Sequence, residues 1–206
     1  MKKVFLFVKL LIFLVSAGFA QSSQNNPGQL AELLKNDTLT LFARGNGGSS
    51  GAVVYGSLKN NSSNVVYVDV NLNDGLFLIN NAEGQNMIAT SVFFADGGFY
   101  KINSKKFINL APNSNTQIVM NAFCVDFEKK NPIKTESFSL SVMPDRLKNI
   151  SSNISRYIAN HLYDDDPVTP VQLAVWHTQG ISQKDISAKF IFTAYDWEIS
   201  IKILDY

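Results

Sequence analysis

The chain has 206 residues, 46% of them hydrophobic, 17% charged and 12% aromatic, with a formal net charge of +1 and one cysteine. One cysteine excludes a small disulfide-framework fold, and near-neutral charge with no basic stripe excludes a partner bound through its phosphates, so nucleic acid is not expected. The length suits a single domain with one sizeable core.

Met1-Lys2-Lys3 is a short basic start, residues 4–15 are apolar except for Lys9, and Gly18-Phe19-Ala20 places small residues where a signal peptidase reads. Residues 1–20 are therefore expected to be an export signal cleaved before Gln21. The apolar run is shorter than the roughly 20 residues that span a bilayer, and no cysteine follows the site to take a lipid. The expectation is a secreted, periplasmic or cell-surface protein with no membrane span after cleavage. Without Lys2, Lys3 and Lys9, 15 basic residues face 17 acidic ones. Residues 21–37 read as a flexible leader, polar at 21–28 and with one helical turn at 29–34.

Residues 38–206 read as one domain. Short runs rich in Val, Ile, Phe, Tyr and Thr predict strands at 38–43, 51–58, 64–71, 75–79, 88–94, 98–102, 107–110 and 116–127. Turn residues separate them at 45–48, 59–63, 73–75, 96–98 and 111–115. The expected architecture is α+β: an antiparallel β-sandwich with a small helical subdomain at about 145–180. The glycine cluster at 45–51 runs into a strand pattern and not a helix, so it is a hairpin loop and not a phosphate cradle.

Beyond Pro132 the period lengthens. Leu147, Ile150, Ile154, Tyr157, Ile158 and His161 recur at three- and four-residue intervals, which predicts a helix at 145–162 with His161 packing on or capping its end. Asp164-Asp165-Asp166 lacks calcium-loop spacing and reads as a solvated loop, so no metal is assigned. Thr169-Pro170-Val171-Gln172 predicts a helix at 170–179 with Thr169 as N-cap, Gln172 completing a capping box and Gly180 as the stop. On that reading Gln172→Glu is tolerated. The tail at 188–194 and 198–204, where Ile199, Ile201 and Ile203 alternate with Ser200 and Lys202, predicts one or two closing strands.

Cys124 sits late in the longest predicted strand, 116–127. Ile118, Met120, Ala122 and Cys124 share one face, while Val119, Phe123, Val125 and Phe127 share the other, so both faces are apolar and the strand is expected to be central and covered twice. The plain reading of the thiol is a buried, inert one.

Phe123-Cys124-Val125, taken with the later Val171-Gln172-Leu173-Ala174-Val175-Trp176, resembles the two signature segments of the thioester domains of bacterial surface adhesins. The resemblance covers roughly residues 120–180 and is weaker in the strand-rich half. It implies that Cys124 and Gln172 form an internal Cys-to-Gln thioester, with Phe123 and Trp176 shielding it from water. An amine on a partner, a surface protein or glycan, would then attack the acyl carbon and stay joined to Gln172. This is single-turnover coupling and not enzymatic turnover, and it needs no cofactor. Large adhesins usually continue into stalk repeats and a wall-sorting tail; these 206 residues carry neither, so the expected unit acts alone, as a subunit or as a free secreted factor.

Two rival readings remain. A cysteine hydrolase would pair Cys124 with His161 or His177, but catalytic thiols favour electropositive edges, and Cys124 lies in an apolar strand beside Asp126. A non-covalent secreted or envelope binding module would keep the cysteine inert and use loops such as 45–51 and 96–98.

Overall fold

A computed structural model describes residues 28–95, 107–161 and 167–206. The export signal, most of the leader, the strand and turn expected at 96–102 and the acidic run at 164–166 lie outside the described residues.

The chain order is α1 (Leu30–Lys35), β1 (Leu39–Gly45), β2 (Ser50–Asn60), β3 (Val66–Asp69), β4 (Asn71–Asn80), β5 (Met87–Phe94), β6 (Phe107–Leu110), β7 (Asn115–Cys124), β8 (Ser137–Ser141), α2 (Asp145–Asn160), α3 (Val168–His177), α4 (Gln183–Ser187) and α5 (Ala194–Leu204). The expected sandwich does not form. β1, β2, β7, β5, β4 and β8 pair in that order and β8 returns to β1, closing a six-stranded antiparallel barrel, while β3 and β6 make a separate two-stranded sheet.

β8 decides between the two architectures, and it has no counterpart among the predicted strands. Its five residues, SFSLS, pair Ala43 with Phe138 on one side and Leu78 with Leu140 on the other. Joining the two outer strands removes both open edges, the solution that barrels offer to unpaired backbone. Register shifts between Ala52 and Val54, between Ala89 and Ser91 and between Asn71 and Leu76 mark bulges that bend strands into the curve. The turn expected at 73–75 is one of these bulges, inside β4, with positive φ at Asn73 and Gly75.

β7 lies between β2 and β5, and the period-2 alternation of its side chains feeds two cores. Ile118, Met120, Ala122 and Cys124 join the barrel interior with Val54, Leu58, Leu78 and Met87. Phe123 and Val125 face outward, where α2, α3 and α5 cover them with Leu147, Ile150, Ile154, Val171, Val175, Ile199 and Ile203.

The tail is a second correction. Residues 194–204 form α5, not a strand, and 188–193 contain no strand. Ile199 and Ile203 are buried while Ile201 is only half-buried; a spacing of four satisfies both a strand period and a helix period, so the isoleucines alone do not separate the two. Local capping does: Thr193 accepts from the Asp196 N–H and Asp196 from the Thr193 N–H, a complete capping box.

Candidate functional site

β7 delivers Cys124 at its last residue, and α3 delivers Gln172 in its second turn. Both are fully buried. The Cys124 backbone N–H donates to Gln172 Oε1 at 2.9 Å, and Gln172 Nε2 donates to the Cys124 carbonyl at 2.8 Å. The side-chain amide is thus laid along one residue of backbone, as a neighbouring strand would be, and the two bonds fix which end is oxygen. The Cys124 N–H is shared with the Ser49 carbonyl at 3.0 Å.

This contact overturns the capping box expected at Thr169 and Gln172. α3 starts at Val168, its N-cap is Pro167, and no side chain caps it. Gln172 lies too deep for that role because the helix end it occupies is pressed against the barrel. Gly51, at φ +81°, is part of the reason: a Cβ there would lie 3.2 Å from Val168 Cγ2, so glycine gives α3 close access to β2.

A second amide reaches the backbone one residue further along the chain, through a single bond. Gln179 Nε2 donates to the Val125 carbonyl at 2.9 Å, and Gln179 Oε1 accepts from Arg146 at 2.6 Å. Gln172 and Trp176 lie on one side of α3 and Gln179 in the turn just past its end, a polar-aromatic set at i, i+4, i+7 present in the sequence but not picked out there. Ser49 also went unnoticed, since its contribution is a carbonyl that no side-chain pattern announces.

Trp176 and Leu173 belong to the same interior cluster as Cys124, and the Trp176 ring meets Phe127 at 5.1 Å and Phe190 at 5.2 Å, both edge to face. Trp176 is therefore on the thiol side. Phe123 is not: strand alternation places its ring in the outer cluster. Burial pushes the Cys124 thiol pKa far up, and the carboxylate of Asp126 adds to the rise, so the thiol is held protonated.

His161 caps α2, stacks on Tyr157 at 4.2 Å and has Nδ1 2.9 Å from the Tyr157 carbonyl, an arrangement in which Nδ1–H donates. His177 packs on Trp197 at 5.0 Å. Among the described residues neither imidazole bonds to Cys124, and a thiol held protonated is the opposite of an activated hydrolase nucleophile. Among the described residues no three metal-ligating side chains cluster, and no helix is long and apolar enough to cross a membrane. Comparison with protein-family models, with curated proteins and with solved structures finds no match.

Proposed function

We propose that this chain is an exported coupling protein that joins Cys124 to Gln172 through an internal thioester and passes the Gln172 acyl group to an amine on a partner surface. The observation that carries the reading is the paired hydrogen bonding of the buried Gln172 amide to Cys124 itself, across 48 residues of sequence. The resemblance of both segments to adhesin thioester domains named these two residues independently of any contact between them.

The bonds between the Gln172 amide and the Cys124 backbone support the following chemistry. In the forming step Sγ attacks Gln172 Cδ, the thiol proton passes to Nε2, the C–N bond breaks and ammonia leaves. Oε1 already accepts from the Cys124 N–H, so a donor is in place where negative charge develops in the tetrahedral intermediate. The two bonds hold the Gln172 amide against the backbone of Cys124, and fixed placement of this kind is the source of the effective concentration that an unactivated amide requires. In the coupling step a partner amine attacks the same carbon, the C–S bond breaks and the thiol regains a proton. Burial of Cys124 and Gln172 among Leu173, Trp176 and Phe127 keeps water from hydrolysing the bond between the two steps.

The second reading is a reversible binding module, and one observation favours it: both polar atoms of Gln172 are already satisfied, so the amide serves as a non-covalent tie between α3 and β7. Intact mass decides. The coupling reading expects a purified protein lighter by one ammonia than its sequence mass, and a gain of one amine on treatment with methylamine. Neither change should occur in Cys124→Ala or Gln172→Ala. An unshifted wild-type mass, with full thiol titration after denaturation, would leave only the binding module.

A further inference from the structure

α2, α3 and α5 pack over the face of the barrel that carries Phe123 and Val125, whereas the outward side chains of β1 and β8, Phe42, Arg44, Ser137 and Ser139, stay exposed. Phe42 is 58% exposed, a large apolar ring facing solvent. The register sets Ser57 opposite Phe42, Tyr55 and Ser137 opposite Arg44, and Gln117 opposite Ser57, so these side chains share the outer face. They line a groove of about 550 Å³, inside the roughly 300–1,000 Å³ typical of ligand sites. A second cavity of about 420 Å³ adjoins it, because Arg44 and Tyr55 line both, and Lys134 lines the second.

The backbone brings the two cations to one place. Lys134 belongs to the connection between β7 and β8, and the Gly45 N–H donates to the Glu136 carbonyl of that connection at 3.1 Å. A Cβ on Gly45 would lie 2.8 Å from Pro132 Cβ and 3.0 Å from the Ile133 carbonyl oxygen, so the glycine is what lets the connection lie against β1. Neither charge is neutralised. Lys129, Lys148, Lys189 and Lys202 form ion pairs, but Arg44 and Lys134 form none among the described residues. Glu136, two residues from Lys134, is engaged elsewhere: its Oε2 accepts from Asn80 Nδ2 at 2.8 Å and from the Ile133 N–H at 3.2 Å. The described lining residues of the two cavities include no carboxylate.

We propose that the adjoining cavities bind an amphipathic organic anion, with a carboxylate head between Arg44 and Lys134 and a hydrocarbon body along the groove against Phe42. Two unpaired like charges on one cavity attract an anion and repel a cation. A guanidinium fork matches a carboxylate through two parallel N–H···O bonds, which suits Arg44 to the head group. The apolar end sets the body, since a hydrocarbon that covers Phe42 removes apolar surface from water and a bare ion leaves that ring exposed. The site is independent of the coupling reading. None of the residues named for it hydrogen-bonds to Cys124 or Gln172.

Calorimetric titration of the wild type with dodecanoate, kept below its micelle concentration, should show saturable one-to-one binding, and decanoate and octanoate should each bind several-fold more weakly than the next longer chain. Arg44→Gln and Lys134→Gln should each weaken dodecanoate about ten-fold, the equivalent of one charge-assisted hydrogen bond, and Phe42→Ser should weaken it several-fold. These side chains face solvent, so the ligand-free variants should unfold thermally as the wild type does; Lys134 lies outside the barrel ladder, and its variant keeps the charge test open should Arg44→Gln disturb β1. In isotope-labelled protein the backbone amides of Gly45 and Ser57 and the side-chain amide of Gln117 should shift along the same saturation curve. Acetate carries the head without the body, and dodecyltrimethylammonium the body with the opposite charge; both should bind at least about ten-fold more weakly than dodecanoate. Absence of saturable binding, shifts confined to other parts of the protein, equal affinity for acetate or for dodecyltrimethylammonium, or unchanged affinity in a folded Lys134→Gln protein would overturn the proposal.

Discussion

Replacing Gln172 by Glu in a Cys124→Ala background tests the central contact without interference from a covalent bond, because an alanine keeps the backbone N–H and C=O that Gln172 engages at position 124. One carboxyl oxygen reproduces Oε1. The other takes the place of Nε2, 2.8 Å from a carbonyl oxygen, where an ionised carboxylate has nothing to donate. Gln172 has no exposed surface through which water would relieve that opposition. The folded protein thus holds the new carboxyl protonated, with its O–H donating to the carbonyl at position 124, and the folded pKa lies above the unfolded value of about 4.3. The sign follows. Below about pH 4 both states are protonated and the variant should lie within about 1 kcal/mol of its parent, one hydrogen bond having replaced another. As pH rises above the unfolded pKa, the unfolded chain releases a proton that the folded chain retains, and stability falls by about 1.4 kcal/mol per unit until the folded pKa is reached. A folded pKa raised by about three units removes about 4 kcal/mol at neutral pH, a large part of the roughly 5–15 kcal/mol that holds a domain together. Urea denaturation of parent, Gln172→Glu and Gln172→Ala from pH 4 to 8 reads this directly. A pH-independent difference between parent and Gln172→Glu, or a variant as stable as its parent at pH 8, would mean that Gln172 caps a solvated helix end and that its contact with the backbone at position 124 does not exist.

Three further outcomes probe the scaffold that presents the pair. Ile154 is fully buried among α2, α3 and α5 whereas Ile158 only packs against that cluster, so Ile154→Ala should cost about 2–5 kcal/mol and Ile158→Ala clearly less; equal losses in thermal unfolding would mean the α2 face is misplaced. A Cβ at Gly56 would run into the Phe42 carbonyl oxygen across the β1–β2 ladder, so Gly56→Ala should destabilise by about 1–3 kcal/mol or more by calorimetry, and a neutral result would contradict the register Ala43–Gly56. Thr193→Ala removes the N-cap of α5 and should cost about 1 kcal/mol, with Thr193→Ser recovering most of it; no loss would argue that the tail is not helical.

Legibility in the sequence followed how much of the decision was local. β1, β2, β5 and β7 stood out because alternation and flanking turn residues agree within a dozen residues, and α2 because its apolar stripe has a period that no strand shares. Barrel closure rests on β8, whose five residues carry only one buried side chain, Phe138, and whose two partners lie about 60 and 95 residues upstream. Nothing in SFSLS announces that it completes a ring. α5 was misread because Ile199 and Ile203 fit both periods, although Thr193 and Asp196 held the deciding cap in plain view. At the site, Cys124 and Gln172 were paired through resemblance and not through spacing. Periodicity instead pointed Gln172 at its own helix end, since a Thr-x-x-Gln pattern carries no sign of the strand pressed against it. Phe123 fell on the side opposite the thiol because adjacent strand residues face opposite ways, a rule that by itself argued against Phe123 as a shield.

The thiol itself offers a separate discrimination between coupling and simple burial. In a protein whose Cys124 is free, burial and then Asp126 hold the folded thiol protonated well above the pH at which an unfolded cysteine ionises, about 8.5. Above that pH the unfolded chain therefore releases a proton that the folded chain keeps, and stability should fall by about 1.4 kcal/mol per unit relative to Cys124→Ala. The alanine variant carries a constant cavity cost with no slope, so the divergence of the two curves between pH 8 and 10, and not their offset, is the signal. A thioester has no thiol to titrate. In that form the native protein should resist a thiol reagent at every pH in this range, and it should still resist immediately after denaturation until methylamine or hydroxylamine cleaves the bond and one thiol appears. A free, buried thiol should instead react once, at full stoichiometry, as soon as denaturant exposes it. Reaction of the native protein within seconds at pH 8 would contradict both forms, because it requires an accessible thiolate where the barrel interior and Trp176 leave no room for one.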